Sequence, residues 1–227
     1  MQLPFRLDCE PPFLVARFDE PQDILGWSII KPGFASARAI VWLEVHDNDL
    51  PLHIDPLAFL NDKLALARIE DAAAFMTSRE IRRHHVAQSR AGGVVATCVT
   101  TVGLSNGERI GSRRRVAISA VGTINTFVHV SRPLSAGAFV EAISIATQAR
   151  TTAILETSHL REGPAVTGTG TDCIIVAAPD GDAPELCAGL HTDLGEAMGS
   201  AVYDATYEGA EAWSVDVAEI QPDGCRR

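Results

Sequence analysis

Apolar and polar positions alternate along this chain with two different periods, which divide it into predicted strands and helices. Short runs of β-branched and other apolar residues predict strands, at 13–18, 24–30, 37–45, 72–76, 93–102 and 173–178. A further run over 115–130 predicts one strand, or two strands divided at Gly122. The end of the chain offers a last candidate strand at 213–220.

Three segments repeat apolar side chains at helical spacing. The first covers 55–69 and opens with an aspartate and a proline, the second runs from Ser135 to about 155, and the third opens at 192–193. The core-facing residues predicted for them are Leu57, Leu60, Leu64 and Ala67, then Phe139, Val140, Ile143, Ala146 and Ala149, then Leu194, Ala197, Met198, Ala201, Val202 and Ala205.

Strands and helices therefore alternate, and several strands are apolar on both faces, which favours a sheet that is covered on both sides. The strands around 91–130 follow one another without a helix, so we expect both strand directions. The prediction is an α/β (or α+β) layered fold, a mostly mixed β-sheet covered by three or more helices, forming a single domain over 1–227.

The composition is that of a globular protein, with 46% hydrophobic and 21% charged residues in a chain of 227. A net charge of -10 opposes broad nucleic-acid binding, because neutralising phosphates requires a basic surface. Apolar stretches such as 93–99 are far shorter than the roughly 20 residues of a membrane-crossing helix. Five cysteines without a CxxC pair, and an N-terminus without a secretory pattern, predict reduced thiols in a cytoplasmic protein.

Basic charge is concentrated between Arg79 and Arg115, where eight arginines accompany two glutamates. Two interpretations stay open: an anion-attracting edge near a site, or a solvated face paired with acidic neighbours. His84 and His85 lie inside this segment. On a helix they would point about 100° apart, so we expect a surface location and not a chelating pair.

Three polar segments that contain glycine lie at predicted strand ends, at 100–108, 122–126 and 167–172. Glycine lets backbone N–H groups approach a ligand closely, and Thr and Asn add hydrogen-bonding groups without bulk. The same residue types also form ordinary turns. Because binding sites on sheets cluster at strand ends, both interpretations are kept.

A fourth segment, 188–196, places His191 directly before the third helix. Asp193 at the cap and Glu196 three residues later fit a capping box, which explains both carboxylates structurally. A neutral imidazole at this position could act as a base. His191, Asp193 and Asp172 could also hold a metal ion, although no spacing rule requires one.

These segments, taken in order, resemble the adenosylcobinamide amidohydrolase family, CbiZ. The similarity covers about 70–206 and is carried by residues 75–78, 101–106, 122–125, 134–135, 167–172 and 188–196. It implies hydrolysis of the amide that joins aminopropanol to a corrin side chain of adenosylcobinamide. The product would be adenosylcobyric acid, which re-enters cobalamin synthesis by salvage. The corrinoid is then the substrate, and no separate cofactor or metal is assigned.

Amide hydrolysis requires a nucleophile, donors for the oxyanion and an acid for the departing amine. We predict His191 or Asp172 as the base that activates water, with the hydroxyl of Thr169 or Thr171 as the alternative nucleophile. Glu196 is a candidate proton donor, which its capping role disfavours. The substrate-binding residues predicted are Asn106, Thr123, Asn125, Gly168, Gly170, Thr171 and Thr192.

Two other function classes stay open. One is a corrinoid-binding or sensing protein without hydrolysis, and the other is an amidase for a different small molecule. Neither nucleic acid nor a membrane is an expected partner, and a homo-oligomer is left open.

Overall fold

Ten strands and three α-helices alternate along the part of the chain that the computed structural model describes, residues 1–46, 48–51, 53–112, 122–160 and 164–220. Their order is β1 (Arg6–Glu10), β2 (Phe13–Gly26), β3 (Gly33–Glu44), α1 (Pro56–Leu66), β4 (Ala72–Thr77), β5 (His84–Ala91), β6 (Val94–Val102), β7 (Gly107–Glu108), β8 (Ile124–Val130), α2 (Ala136–Glu156), β9 (Gly168–Thr169), β10 (Cys173–Pro179) and α3 (Asp193–Ile220). Short 3₁₀ turns occupy Ile81–Arg83 and Thr157–Leu160.

Eight of the strands form one mixed sheet in the order β4-β3-β2-β10-β8-β6-β5, with β1 paired to β2. The pairs β3–β4 and β8–β10 are parallel, and the other pairs are antiparallel. The small strands β7 and β9 form a separate antiparallel pair. The predicted layered fold with a mixed sheet is therefore confirmed.

The sheet curls, so that strands that are not neighbours in its strand order come into contact. Although three strands separate β4 from β8, the Asn125 side-chain amide at the start of β8 donates a 2.8 Å hydrogen bond to the Met76 carbonyl near the end of β4. The concave face encloses an apolar cluster that includes Trp42, Phe75 and Phe127. Trp42 packs on Phe75 with ring centroids 4.9 Å apart, in the range that favours aromatic pairs.

The helices cover the outer face of this sheet. Buried side chains of α2 and α3 pack with those of β6, β8 and β10 in one cluster, while α1 inserts Leu60 and Leu64 over β3 and β4 in another. Burying each large apolar side chain contributes about 1.5–3 kcal/mol relative to exposure. Among the described residues no helix is both long enough and apolar enough to cross a membrane.

Two of the predicted helix caps are confirmed, and one is displaced. The Asp55 carboxylate accepts a 2.9 Å hydrogen bond from the Leu57 N–H, and the Ser135 hydroxyl accepts one of 3.1 Å from the Ala138 N–H. In α3, however, the Thr192 hydroxyl caps the helix by accepting from the Gly195 N–H at 2.9 Å. Asp193, predicted as the cap, is already the first helical residue.

Several element predictions were wrong at places where packing overrides the local pattern. Segments 13–18 and 24–26 belong to one strand, β2, whose pairing with β3 is irregular between Arg17 and Gln22, and the predicted strand 24–30 ends early, at Gly26. The tail at 213–220 continues α3 and adds no strand, and β1 and β5 were not predicted. The part of the predicted strand 115–130 that covers 115–121 lies outside the described residues.

The predicted helix faces hold in α3 and only partly elsewhere. All six predicted core residues of α3 are buried. In α2, Val140 is 59% exposed, whereas Ala142, Ile145 and Ala153 form the buried face. In α1, Leu57 is exposed. These two helices cover only part of a curved sheet. The face that each helix buries is therefore narrower than the set of apolar residues in its sequence.

Candidate active site

A cavity of about 500 Å³ opens at the end of the sheet where β8 and β10 begin and β4 ends. Its apolar wall includes Val45, Leu50 and Phe75. Its polar wall comes from the turns that precede β8 and β10 and from the turn after β4, with Ser78, Thr123, Asn125, Gly170, Thr171 and Asp172. An apolar pocket with a few converging polar groups is typical of a small-molecule site.

The two parallel strands β8 and β10 bring distant segments of the chain to this cavity. Asn125 is paired with Cys173 in their register, so the residues just before each strand meet at the same end of the sheet. The Thr123 hydroxyl donates to the Thr171 carbonyl at 2.8 Å, and the Thr171 hydroxyl donates to the Gly122 carbonyl at 3.2 Å. Two of the predicted polar segments therefore form one wall.

The Asp172 side chain organises the turn before β10. Its carboxylate accepts hydrogen bonds from the Ile124 N–H at 3.0 Å, the Thr169 N–H at 2.9 Å and the Thr169 hydroxyl at 2.5 Å. It also forms an ion pair with Arg150 of α2, Nη1 to Oδ2, at 3.0 Å. Both charged side chains are about nine-tenths buried, with 10% and 8% exposed. This carboxylate fixes the start of β8 and the Gly168–Asp172 turn against α2.

The Gly168 position is restricted by this arrangement. A Cβ atom built there would lie 2.4 Å from Asp172 Oδ2 and 3.5 Å from Arg150 Nη2. The carboxylate is held by several donors and cannot move aside easily. A glycine is therefore required for the turn to close on the ion pair.

Trp27 closes one side of the cavity. Its indole N–H donates to the Asp172 carbonyl at 2.7 Å, and the side chain remains 46% exposed at the cavity lip. The segment after it crosses to the edge of β4, where Ile30 forms a bridge with Ala74. The tethered indole therefore presents apolar surface beside the polar wall.

The Cys173 thiol also lines the cavity, and burial raises its pKa to about 12. A thiol acts as a nucleophile through its thiolate, and this one is protonated at neutral pH. Cys173 is therefore not poised to act as a nucleophile.

A second, smaller cavity of about 410 Å³ lies on the other side of the Gly168–Asp172 turn. Arg109, Arg150, Thr167 and Thr169 contribute to its lining. Asp172 lines both cavities, so the turn is a thin partition between them. Of the predicted residues, Thr123, Asn125, Gly170, Thr171 and Asp172 line the larger cavity, whereas Gly168 and Thr169 line the smaller one.

The structure does not bring His191 to this site. His191 follows β10, whereas Asp172 immediately precedes it, and the seven residues of that strand span roughly 20 Å. The segment before His191 is held at the far end of the sheet, where the Glu185 N–H donates to the Pro133 carbonyl just beyond β8. His191 is exposed there. The prediction that all four polar segments share one pocket was wrong.

Three other predicted residues also lie away from the cavity. Thr192 is the cap of α3, and Glu196 is exposed on its first turn, both at the far end with His191. Asn106 lies behind the polar wall: its Oδ1 is buried without a hydrogen-bond partner and would be 3.0 Å from a Cβ at Gly122. In the described part of the chain no group of three His, Cys, Asp or Glu side chains could hold a metal ion.

The histidine pair of the arginine-rich segment lies on a strand, which corrects the expectation of a surface location. The His84 Nδ1–H donates to the Ile81 carbonyl at 2.7 Å, and His85 faces α3 with Nδ1 3.6 Å from Glu208. Both are half-buried. Arg79 and Arg83 pair with Asp216 of α3, which supports the interpretation of a basic face with acidic neighbours.

Residues 103–107 have the GxSxG spacing of a nucleophile elbow. They do not join the secondary-structure elements that such an elbow joins. Such an elbow joins a strand to a helix, whereas residues 103–107 join β6 to β7. Ser105 is exposed in this turn and does not line the larger cavity.

Sequence reasoning also missed residues that build the site. Arg150 was not among the predicted site residues, and only its contact with Asp172 shows its place. Trp27 lay in the predicted strand 24–30, and Ser78 lay two residues after the predicted strand 72–76. Arg150 and Ser78 carry no local sequence signal for these places, because their roles depend on contacts across the fold.

Comparison with known proteins identifies the family of this chain. The model of the family described as adenosylcobinamide amidohydrolase, CbiZ, matches residues 3–217. The chain belongs to this family. No curated protein matches it significantly.

Membership in the CbiZ family confirms the predicted activity, adenosylcobinamide amidohydrolase, and its place in cobinamide salvage. The match extends well beyond the resemblance at 70–206 and includes β1 to β3 together with Trp27, Ile29 and Val45, which line the cavity. An amidohydrolase breaks a carbon–nitrogen bond with water, so the site must hold an amide and stabilise an oxyanion.

Proposed function

We propose that this CbiZ protein hydrolyses the linear, non-peptide amide between aminopropanol and the corrin side chain in the cavity of about 500 Å³. The corrinoid enters as substrate. The observation that carries the proposal is the polar wall of Thr123, Asn125 and Thr171 facing an otherwise apolar cavity. These side chains match the hydrogen-bonding groups of an amide.

The size of the cavity supports entry of one arm of the substrate. A volume of about 500 Å³ suits a drug-sized molecule, and a corrinoid with its amide side chains is considerably larger. The macrocycle would therefore remain at the lip, where Trp27 and Ile29 are 46% and 40% exposed. The aminopropanol arm would reach the polar wall.

Two donors at this wall are available for an oxyanion. One N–H of the Asn125 side-chain amide donates to the Met76 carbonyl, which leaves the other for a ligand. The Gly170 N–H donates to no group in the described part of the chain and lines the same cavity. Donors that are fixed before the reaction stabilise developing negative charge without reorganisation.

We assign Asp172 a positioning role in place of the role of a base. Its carboxylate already receives three hydrogen bonds and an ion pair, so few lone pairs remain for a water molecule. The short hydrogen bond from the Thr169 hydroxyl lies inside the turn. Such a bond is expected in a turn that an aspartate side chain stabilises, and it does not by itself indicate an activated nucleophile. By holding this turn, Asp172 fixes the Gly170 N–H.

The test is hydrolysis by the purified protein. Adenosylcobinamide is incubated with enzyme, and released 1-amino-2-propanol and adenosylcobyric acid are measured by mass spectrometry. Replacing an oxyanion donor costs about 100- to 1000-fold in kcat, so Asn125→Ala should lose most turnover. His191→Ala, at the far end of the sheet, should keep it.

Three results would contradict the proposal. Corrinoid binding without any product would indicate a binding or sensing protein, and hydrolysis of other amides but not of adenosylcobinamide would indicate a different amidase. Loss of turnover in His191→Ala with normal turnover in Asn125→Ala would place the chemistry at the other end of the sheet.

A further inference from the structure

The hydroxyl groups that line the larger cavity differ in whether they already have a hydrogen-bond partner within the described residues. Five of them line it: Ser28, Thr77, Ser78, Thr123 and Thr171. Four already take part in hydrogen bonds within the protein. The Ser78 hydroxyl alone makes none with any described residue, and Ser78 is half-buried. A polar group that is partly withdrawn from water and lacks a protein partner is free to bind a ligand.

The backbone on either side of Ser78 is fixed. The Thr77 carbonyl accepts a 2.9 Å hydrogen bond from the Val45 N–H at the end of β3, and the Thr77 hydroxyl accepts one of 3.0 Å from the Arg79 N–H. The Arg79 guanidinium is in turn paired with Asp216 of α3. Ser78 therefore lies in a turn whose two neighbours are both anchored, as preorganised binding requires.

This turn is adjacent to the proposed oxyanion donor. The Asn125 amide donates at 2.8 Å to the carbonyl of Met76, two residues before Ser78. Ser78 and Asn125 therefore lie on neighbouring parts of the same cavity wall. An amide presents one acceptor, its carbonyl oxygen, and one donor, its N–H.

We propose that Ser78 is a further substrate-binding residue, whose hydroxyl accepts a hydrogen bond from the N–H of the scissile amide while Asn125 donates to its carbonyl. This inference rests on the proposed function. Two contacts of opposite polarity on one amide fix its plane, which a single contact does not do. Ser78 is not the nucleophile in this proposal, because no described residue in hydrogen-bond contact with it could act as its base.

The test compares Ser78→Ala with wild type in the hydrolysis of adenosylcobinamide. Loss of one hydrogen bond of ordinary strength predicts a decrease of about tenfold in kcat/KM. Ser78→Thr, which retains the hydroxyl, should recover most of the activity. The midpoint of urea unfolding should be unchanged in Ser78→Ala, because the Ser78 hydroxyl makes no hydrogen bond with any residue that the structure describes. Ser200→Ala, at a site on α3 outside the cavity, is the matched serine control.

A second substrate tests whether Ser78 contacts the scissile amide or the hydroxyl group of the aminopropanol leaving group. On a cobinamide analogue whose amide carries propylamine, which lacks the hydroxyl, Ser78→Ala should lose the same factor. A loss confined to the hydroxyl-bearing substrate would overturn the assignment to the amide.

The remaining outcomes separate this inference from the proposed function. Normal kcat/KM in Ser78→Ala, with a defect in Asn125→Ala, would overturn the role of Ser78 and leave the proposed function intact. A loss in Ser78→Ala that is matched by a lower unfolding midpoint would also overturn it, because the effect would then be structural. Absence of hydrolysis in the wild type would overturn the proposed function itself.

Discussion

Removing either member of the Arg150–Asp172 ion pair should destabilise the protein and distort the cavity wall. The two side chains are 10% and 8% exposed and 3.0 Å apart. Leaving one charge of a buried pair without its partner costs about 3–5 kcal/mol. Asp172→Asn leaves the Arg150 charge buried, so we expect a loss of about this size. Arg150→Met should cost less, about 2 kcal/mol, because the carboxylate keeps its neutral donors.

The assay is a double-mutant cycle in urea unfolding, followed by kcat/KM for adenosylcobinamide. The double variant should cost less than the sum of the two single variants by about 1–3 kcal/mol, as expected for residues in direct contact. kcat/KM should fall in all three variants, because the Gly168–Asp172 turn carries the cavity wall. Additive losses of unfolding free energy, or full activity in Asp172→Asn, would refute a structural role of the pair.

Two further predictions concern stability. Burial lowers the pKa of His129 to about 4 from 6.5, so the unfolded chain binds the proton first as pH falls. The free energy of unfolding should therefore decrease between pH 6.5 and 4, by about 3 kcal/mol in total, and His129→Phe should remove this part of the decrease; equal pH profiles for the variant and the wild type would contradict the assignment. Gly168→Ala places a Cβ 2.4 Å from Asp172 Oδ2 and should lower the free energy of unfolding by about 1–3 kcal/mol. Gly170→Ala, where no atom lies within 4 Å of such a Cβ, should leave it unchanged, and equal losses in the two variants would show that the turn, and not the contact, is responsible.

Features encoded within a few residues were predictable from the sequence. The caps of α1 and α2 follow from an acceptor side chain placed before a helical repeat, and both are present. The buried stripe of α3 follows from the strict spacing of its apolar residues. The extension of α3 through 213–220 was missed, because that segment carries Trp and Val, which also favour strands.

The members of the site were predictable only in part. Glycine beside Thr or Asn at a strand end indicated the segments around Asn125 and Asp172, and both segments line the larger cavity. The same local reasoning placed His191 in the wrong part of the fold. The residues just before a helix do not indicate at which end of the sheet that helix begins. Ser78 and Arg150 carried no local signal, and their roles depend on contacts across the fold.

The sequence by itself determined most of the strands and helices, where two of the helices begin, and the family. The tertiary structure decided which strand ends meet. In the parallel pair β8–β10 both strands begin at one end of the sheet, so residues that precede them share the cavity. Residues that follow β10, including His191, must lie at the other end. Strand pairing joins positions that are far apart along the chain, and no local period of the sequence records it.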